Sequence, residues 1–343
     1  MANKDLRSFL KTAKEAGEVV EINKPFSTNF EIPAVISKAE EEKKYPALIF
    51  NNVKESDMPV VTNVFATRKR LAIALGCEEA NLNAHYRVCE DKRIKPVLVD
   101  NGPVQEVVLT GDDVDLTKLP IIKHNEKDAG PYITCGAGVV KDPETGCRNI
   151  GVYRHELYGK NKIGIHMAEV SHVNYIYGKY AAKGKKMPIA ITIGHHPAFY
   201  LGVLSFVPVG VDEYEVAGGL LGEPLELVKC KTVDLEVPAF AEIVLEGYIE
   251  PGELQTEAPF GEFTTCYGKA HEYPVVTVTA ITMRKKPLYL DCLSGHIDHM
   301  LLGGTGRLSV IYKTIRLACP TVKDVFMPPS GCCRLVCYVS IKK

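Results

Sequence analysis

The run Tyr132-Ile-Thr-Cys-Gly-Ala-Gly-Val-Val140, the turn Lys141-Asp-Pro-Glu-Thr-Gly146 and the run Asn149 to Tyr158 decide the fold. Two apolar, β-prone stretches joined by a short polar turn containing Pro and Gly predict adjacent antiparallel strands. The pattern repeats outward. Gly159-Lys-Asn161 turns into a strand over Lys162 to Met167, and further strands are predicted at Ile189–Ile193, Leu225–Cys230, Ala241–Ile249, Val275–Met283 and Leu288–Cys292. Short helices interrupt near Val173–Ala182, Ala198–Ser205 and Glu213–Leu221. Many strands with hairpin turns and few crossover helices indicate a barrel over residues 111–295 rather than a doubly wound sheet. No Gly-x-Gly-x-x-Gly follows a strand, so a dinucleotide-binding reading has little support.

The flanks differ in character. Residues 1–110 alternate helix and strand, as an N-terminal α/β domain. Leu6, Phe9, Leu10, Ala13 and Ala16 recur at helical spacing, with Gly17 where a C-terminal cap belongs. Asp100-Asn101-Gly102-Pro103 lies between two apolar runs, a hairpin signal. A linker helix is expected over 296–319, with Leu301, Leu302, Leu308, Ile311, Ile315 and Ala318 on its apolar face, ended by Pro320. Residues 320–343 read as the beginning of a further α/β domain. Its last strand, Arg334 to Ile341, is apolar on both faces with no following helix. We therefore expect either a truncated chain or an edge completed by another subunit, and poor oligomerisation and solubility of the chain as it stands. The fold class is mixed α/β (α+β).

Composition excludes several functions. The 343 residues are 46% hydrophobic and 24% charged, with a formal net charge of −1. That balance offers no footprint for nucleic acid and no polybasic membrane patch. Arg68-Lys69-Arg70 reads as a solvated helix start. No segment approaches the ~18 apolar residues of a spanning helix, and the first residues lack a secretory core, so a cytoplasmic location is expected. The eleven cysteines are odd in number and mostly inside apolar runs, as at Cys135 and Cys337, and read as reduced, buried small hydrophobes. The adjacent His195 and His196 cannot share one site on a regular element and read as scaffold.

Chemistry concentrates in two segments. Glu257-Ala-Pro-Phe-Gly-Glu262 places two carboxylates five residues apart across a turn-prone stretch. Folding back brings both to one site, where two acids push their pKa values apart, as proton transfer requires. Arg148-Asn-Ile-Gly-Val-Tyr-Arg154 adds a cation on a strand with an amide nearby. Asn149 and Arg154 differ by an odd number, so a regular strand points them to opposite faces unless a bulge intervenes.

Lys127-Asp-Ala-Gly-Pro-Tyr-Ile-Thr134, Arg148 to Arg154, Gly159-Lys-Asn-Lys162, Asp212-Glu-Tyr-Glu-Val-Ala-Gly218 and Glu257 to Glu262 occur in this order. Together they resemble the UbiD-type decarboxylases, which use prenylated FMN. The resemblance runs from Lys4 nearly to the end of the chain. It implies that residues 111–295 are a split β-barrel holding the flavin, followed by a helix and an oligomerisation domain. One departure is Ala258, where the commoner pattern has Gly; Ala removes the option of positive φ in that loop.

The resemblance also implies the site. Arg154, Glu257 and Glu262 would be catalytic, with Arg154 gripping the substrate carboxylate and Glu262 donating the proton that replaces CO₂. Asn149, His172 and Glu213 would hold Mn²⁺ against the flavin phosphate, with K⁺ nearby. Family flavin contacts fall on Thr134, Val152, Tyr153, Arg154, Ala168, Glu169, Val170, Val173, Asn174 and Ser205, beside those three metal ligands. The activity implied is reversible, non-oxidative decarboxylation of an aromatic, heteroaromatic or α,β-unsaturated carboxylic acid. A flavin prenyltransferase would supply the cofactor, and the full-length protein would be a homo-oligomer, a dimer or hexamer. By its position after the barrel, Ser294 to Arg307 borders the pocket. There His296 either faces a polar ring atom or second carboxylate, or is a structural loop histidine. Two other readings stay open: a flavin reductase on a split barrel, and a non-catalytic scaffold subunit of a multi-subunit carboxylase.

Overall fold

The computed structural model describes residues 4–257 and 259–342, so the expectation attached to Ala258 lies outside it. Asp5 caps the first helix, α1 (Leu6–Glu15), through a reciprocal capping box with Ser8, and Leu6, Phe9, Leu10 and Ala13 form its buried stripe. Gly17 follows at φ 73°, the left-handed exit that lets the chain turn into β1 (Val19–Ile22). Then come α2 (Glu31–Glu41), β2 (Ala47–Phe50), β3 (Val60–Thr62), α3 (Arg68–Leu75), α4 (Leu82–Lys92), β4 (Val97–Leu98) and β5 (Val107–Thr110). The central stretch runs β6 (Tyr132–Lys141), β7 (Arg148–Glu156), β8 (Lys162–Gly164), α5 (His172–Ala182), β9 (Met187–Ile193), α6 (Pro197–Val203) and α7 (Glu213–Leu221). It continues through β10 (Glu226–Lys229), β11 (Glu236–Pro238), β12 (Ile243–Glu257), β13 (His271–Met283) and β14 (Tyr289–Leu290). The long α8 (Ile297–Ala318) leads to β15 (Val322–Phe326) and β16 (Tyr338–Ile341).

The predicted hairpin forms: β6 and β7 pair antiparallel, with Lys141 opposite Arg148 and Tyr132 opposite Glu156. They are one side of an all-antiparallel sheet ordered β5-β13-β12-β9-β6-β7, with β8 also paired to β13. A bridge between Leu157 and Ile163 ties the end of β7 to β8, so the sheet curls round on itself. A second sheet, β1-β2-β3-β14, brings β14 back beside β3 after the central strands. One continuous core joins the two, and a small satellite core of Leu308, Val322, Val325 and Met327 lies under α8.

Three expectations are corrected. The Asn101-Gly102 segment is no hairpin: β4 pairs parallel with β10, whereas β5 pairs with β13. Gly102 is extended, and a Cβ there would lie 2.7 Å from the Ala239 carbonyl oxygen. Glycine is needed for close approach, not for a left-handed turn. Gly102→Ala should therefore destabilise the fold by about 1–3 kcal/mol. A urea midpoint equal to wild type would contradict this packing. Arg70 is wholly buried, not solvated; its guanidinium donates to the Val64 and Asn63 carbonyls and pairs with Glu18. Finally, Cys337 is exposed rather than buried, and the last strand is Tyr338–Ile341, shorter than expected; it is exposed on both faces, in keeping with a strand that no helix covers, and among the described residues it pairs with β15 alone. His195 and His196 are core groups as expected, each pushed down to about 3 by burial and therefore neutral.

Candidate active site

β12 ends at Glu257, and the chain returns through Pro259, Phe260 and Gly261 to Glu262. Asp128 fixes this turn: its carboxylate accepts from the Gly261 N–H at 2.9 Å and from the Asn125 N–H at 2.8 Å. A side chain at Gly261 would collide with the Asn125 amide, so that position too is glycine for want of room. Glu262 donates its N–H to the Cys266 carbonyl at 2.9 Å and opens the next turn. The two carboxylates are thereby brought to one guanidinium. Arg154 grips Glu257 with two near-parallel bonds, Nε to Oε1 at 2.7 Å and Nη2 to Oε2 at 2.9 Å, and gives Nη1 to Glu262. Phe260 packs against this guanidinium, 4.7 Å from ring centroid to Cζ.

Glu257 is 3% exposed, and its Oε2 is also hydrogen-bonded to His166 Nδ1 at 3.1 Å. Burial opposes ionisation, but the His166 and Arg154 hydrogen bonds outweigh it and hold Glu257 below its ordinary value. Glu262 is more open, its side chain 30% exposed. Arg154, Glu262 and Phe260 line a cavity of about 610 Å³, the size that takes a cofactor or a small ligand, whereas Glu257 is not on its wall.

The second cluster is built from α7. Its cap, Asp212, receives Arg148 Nε at 2.8 Å and Nη2 at 2.6 Å, which seats the helix against β7. The next residue, Glu213, then accepts from Asn149 Nδ2 at 2.9 Å and the Ile150 N–H at 2.8 Å. Burial pushes Glu213 up to about 7 despite those bonds. The Asn149 amide nitrogen is committed, and its Oδ1 is buried with no hydrogen-bond partner among the described residues. His172, the first residue of α5 behind the Ser171 cap, lines with Asn149, though not with Glu213, a small cavity of about 20 Å³. A space for about one water, with an orphaned amide oxygen and an imidazole on its wall, fits a divalent ion.

The strand-parity question resolves geometrically. The irregularity lies between Ile133 and Gly136 of β6, and β7 itself carries no extra residue. Asn149 and Arg154 accordingly line different cavities. Of the flavin candidates, Thr134, Val152, Tyr153, Arg154 and Ala168 share the large cavity. Val173 is buried inside the α5 packing, Val170 is 96% exposed, and Glu169 and Asn174 bond to each other beside it. Ser205 bonds Tyr86 at 2.6 Å, next to the cavity-lining Leu204 and Phe206. His296 does not line the cavity: it stands at the N-cap position of α8 without a side-chain cap bond, and its imidazole is hydrogen-bonded to Glu40. His299, one turn on, does line it, with Arg307 and Arg334, as does His166 from the other side of the site's arginine. Neither His166 nor Arg334 carries a sequence signal, since each reaches the site by tertiary approach.

Residues 95–297 match the 3-octaprenyl-4-hydroxybenzoate carboxy-lyase Rift-related domain, 10–87 the N-terminal domain of that family and 299–343 its C-terminal domain. The chain belongs to the UbiD family. It is an enzyme, a UbiD-type carboxy-lyase. An uncharacterized protein of Aquifex aeolicus (strain VF5) is 38% identical to this UbiD protein, over 99% of this chain and 75% of the relative. An evolved dimeric form of the UbiD-class enzyme HmfF from Pelotomaculum thermopropionicum, in complex with prFMN, superposes with a TM-score of 0.96 at 38% identity, covering 99% of this chain and 79% of that one. The 3,4-dihydroxybenzoic acid decarboxylase AroY of Klebsiella pneumoniae gives 0.92 at 27% identity, covering 99% and 75%. Among the described residues no helix is long and apolar enough to cross a membrane.

Proposed function

We propose that this UbiD protein catalyses reversible, non-oxidative decarboxylation of an aromatic, heteroaromatic or α,β-unsaturated acid with prenylated FMN. The observation that carries the reading is Arg154 held between Glu257 and Glu262 on the wall of a cofactor-sized cavity. Glu257 occupies one edge of the guanidinium with two bonds, so the Nη1 edge given to Glu262 is the one a substrate carboxylate contests. Substrate binding would release Glu262 from the ion pair and leave its carboxyl facing the reacting carbon. Glu262 then delivers a proton to the ring or vinyl carbon that loses CO₂. His166 and Arg154 keep Glu257 ionised, so it stays an orienting partner. Prenylated FMN, when bound, supplies the electron sink for that carbon. The curled antiparallel sheet supports the split-barrel reading of residues 111–295, between the 1–110 domain and the 296–319 helix. A flavin prenyltransferase as cofactor supplier and a cytoplasmic homo-oligomer, dimer or hexamer, belong to the same proposal.

Asn149, His172 and Glu213 would hold Mn²⁺, with K⁺ close by. The orphaned Asn149 oxygen and the ion-sized cavity support this. Alanine at any of the three should lower metal and flavin occupancy together, because these residues would hold the ion that helps to anchor the flavin. Metal analysis with the flavin absorbance of purified variants checks it; full flavin without metal contradicts it. For the reaction, protein co-expressed with a flavin prenyltransferase should release CO₂ from an accepted acid without oxidising NAD(P)H. Consumption of NAD(P)H without CO₂ would instead identify a reductase.

A further inference from the structure

His166 lines the large cavity, yet the carboxylate it bonds, Glu257, does not. Its backbone N–H donates to the Arg154 carbonyl at 3.2 Å, and its ring packs on Tyr273 with centroids 4.5 Å apart. Nδ1 lies 3.1 Å from Glu257 Oε2. Burial raises the Glu257 carboxyl, but the His166 bond, the largest of the opposing contributions, and Arg154 bring it below its ordinary value. An ionised Glu257 can only accept, so His166 carries a proton on Nδ1 in either of its charge states. With that edge turned to buried Glu257, the edge that reaches the cavity bears Nε2, which makes no hydrogen bond among the described residues.

Oε2 is also the Glu257 oxygen that receives Arg154 Nη2. Nη2 and Nη1 form the outer edge of the guanidinium, and Nη1 goes to Glu262. His166 and Glu262 therefore flank the edge where a substrate carboxylate would dock. One guanidinium already faces two carboxylates there, and a third adds negative charge that a largely buried site must offset. The other groups round His166 offer no such charge. Tyr273, raised by burial and then by Glu257, stays neutral, and Glu169 beside it has the wrong sign. His155, on the strand of Arg154, is pushed down to about 4 by burial, and its Nδ1 is engaged with the Gly164 carbonyl. His271 is exposed beyond Tyr273. Arg307, Arg334 and His299 line the same cavity from α8 and the segment before β16. An imidazole on the wall can gain the missing charge, since its protonation ordinarily changes between about pH 5 and 8.

We propose that His166 is a second contact for the substrate carboxylate, which it holds from Nε2 as an imidazolium beside Arg154 Nη1, so that one proton enters the site with the acid. That proton comes from water and returns to it once the product has left. It is additional to the proton that Glu262 delivers to carbon, the single one that loss of CO₂ from a carboxylate consumes. The proposal rests on the decarboxylase reading for the place of the carboxylate at Arg154, and its test reads binding rather than turnover.

Protein loaded by a co-expressed flavin prenyltransferase is dialysed to equilibrium against benzoate, cinnamate and furan-2-carboxylate over the imidazole range. The protonated form binds, so affinity for the tightest of these acids should fall as pH rises, approaching about tenfold per pH unit, the linkage of one proton. Calorimetry in buffers of unlike ionisation enthalpy should count about one proton taken up. His166→Asn, whose amide can still donate to Glu257, should flatten the pH dependence. It should also lower affinity at the acid end by on the order of 10- to 100-fold, the worth of one hydrogen bond between charged groups. His166→Gln, with a neutral donor nearer the place of Nε2, should flatten the dependence but keep more of the affinity. Glu262→Gln should keep both the slope and the uptake. Binding without proton uptake, or no binding of any of the acids at the acid end, overturns the contact. Uptake that persists in both His166 variants overturns it too, and its disappearance from Glu262→Gln then assigns the proton to Glu262. Proton-linked binding that the His166 variants lose, with no CO₂ from any of the acids, upholds the contact and sinks the decarboxylase reading. CO₂ release with pH-independent binding does the reverse.

Discussion

Glu262→Gln should keep the fold and the flavin yet lower turnover at least ~10²-fold, the usual contribution of a positioned general acid. The amide preserves the shape of the group beside Arg154 Nη1 but has no ionisable proton to give to carbon. Because Glu262 lies at the more exposed end of the arginine, its side chain 30% exposed, the substitution leaves no buried charge stranded. The defect should therefore appear in kcat, with flavin absorbance and unfolding midpoint near wild type. Steady-state CO₂ release decides it. Decarboxylation at the wild-type rate would remove Glu262 from the mechanism.

Arg154→Met should have the larger total effect, because it acts on catalysis and stability at once. Three donor atoms are removed, and Glu257, 3% exposed, keeps only the His166 bond. Removing one partner of a buried pair costs about 3–5 kcal/mol. Turnover should fall by at least ~10³-fold, beyond the loss of a single oriented group, since substrate grip and the placement of both carboxylates go together. Adding Glu257→Gln should return much of the stability, by removing the stranded charge, and none of the activity. Chemical denaturation of the single and double variants separates the two effects. An Arg154→Met protein as stable as wild type would show that Glu257 does not depend on the arginine.

The parts of this molecule legible in the sequence are those with local causes. The Lys141 to Gly146 turn between β-prone runs marked β6 and β7, and the 3.6-residue stripe of Leu6, Phe9, Leu10 and Ala13 marked α1. Where glycine serves close approach, local signals mislead. Asn101-Gly102 looks like a hairpin, but its glycine yields to the Ala239 backbone, a contact 137 positions away that no window detects. Arg70 looked solvated because its partners, Glu18 and two carbonyls, assemble only in the fold. In the site, Arg154, Glu257 and Glu262 were readable because motif blocks carry them. His166 and Arg334 were not, since each is presented by a loop whose path the central sheet and α8 determine. His296 and His299 show the limit in three residues: only helical phase decides which one meets the cavity, and the helix begins between them.

The most direct test of the decarboxylase reading is to run the reaction in D₂O with protein made with and without a co-expressed flavin prenyltransferase. Protein made with it should release CO₂ and place one deuterium on the carbon that lost the carboxylate, through Glu262, without consuming NAD(P)H. Protein made without it should do neither. Equal, deuterium-labelling activity from both preparations, or NAD(P)H consumption with no CO₂ from the loaded one, would contradict it.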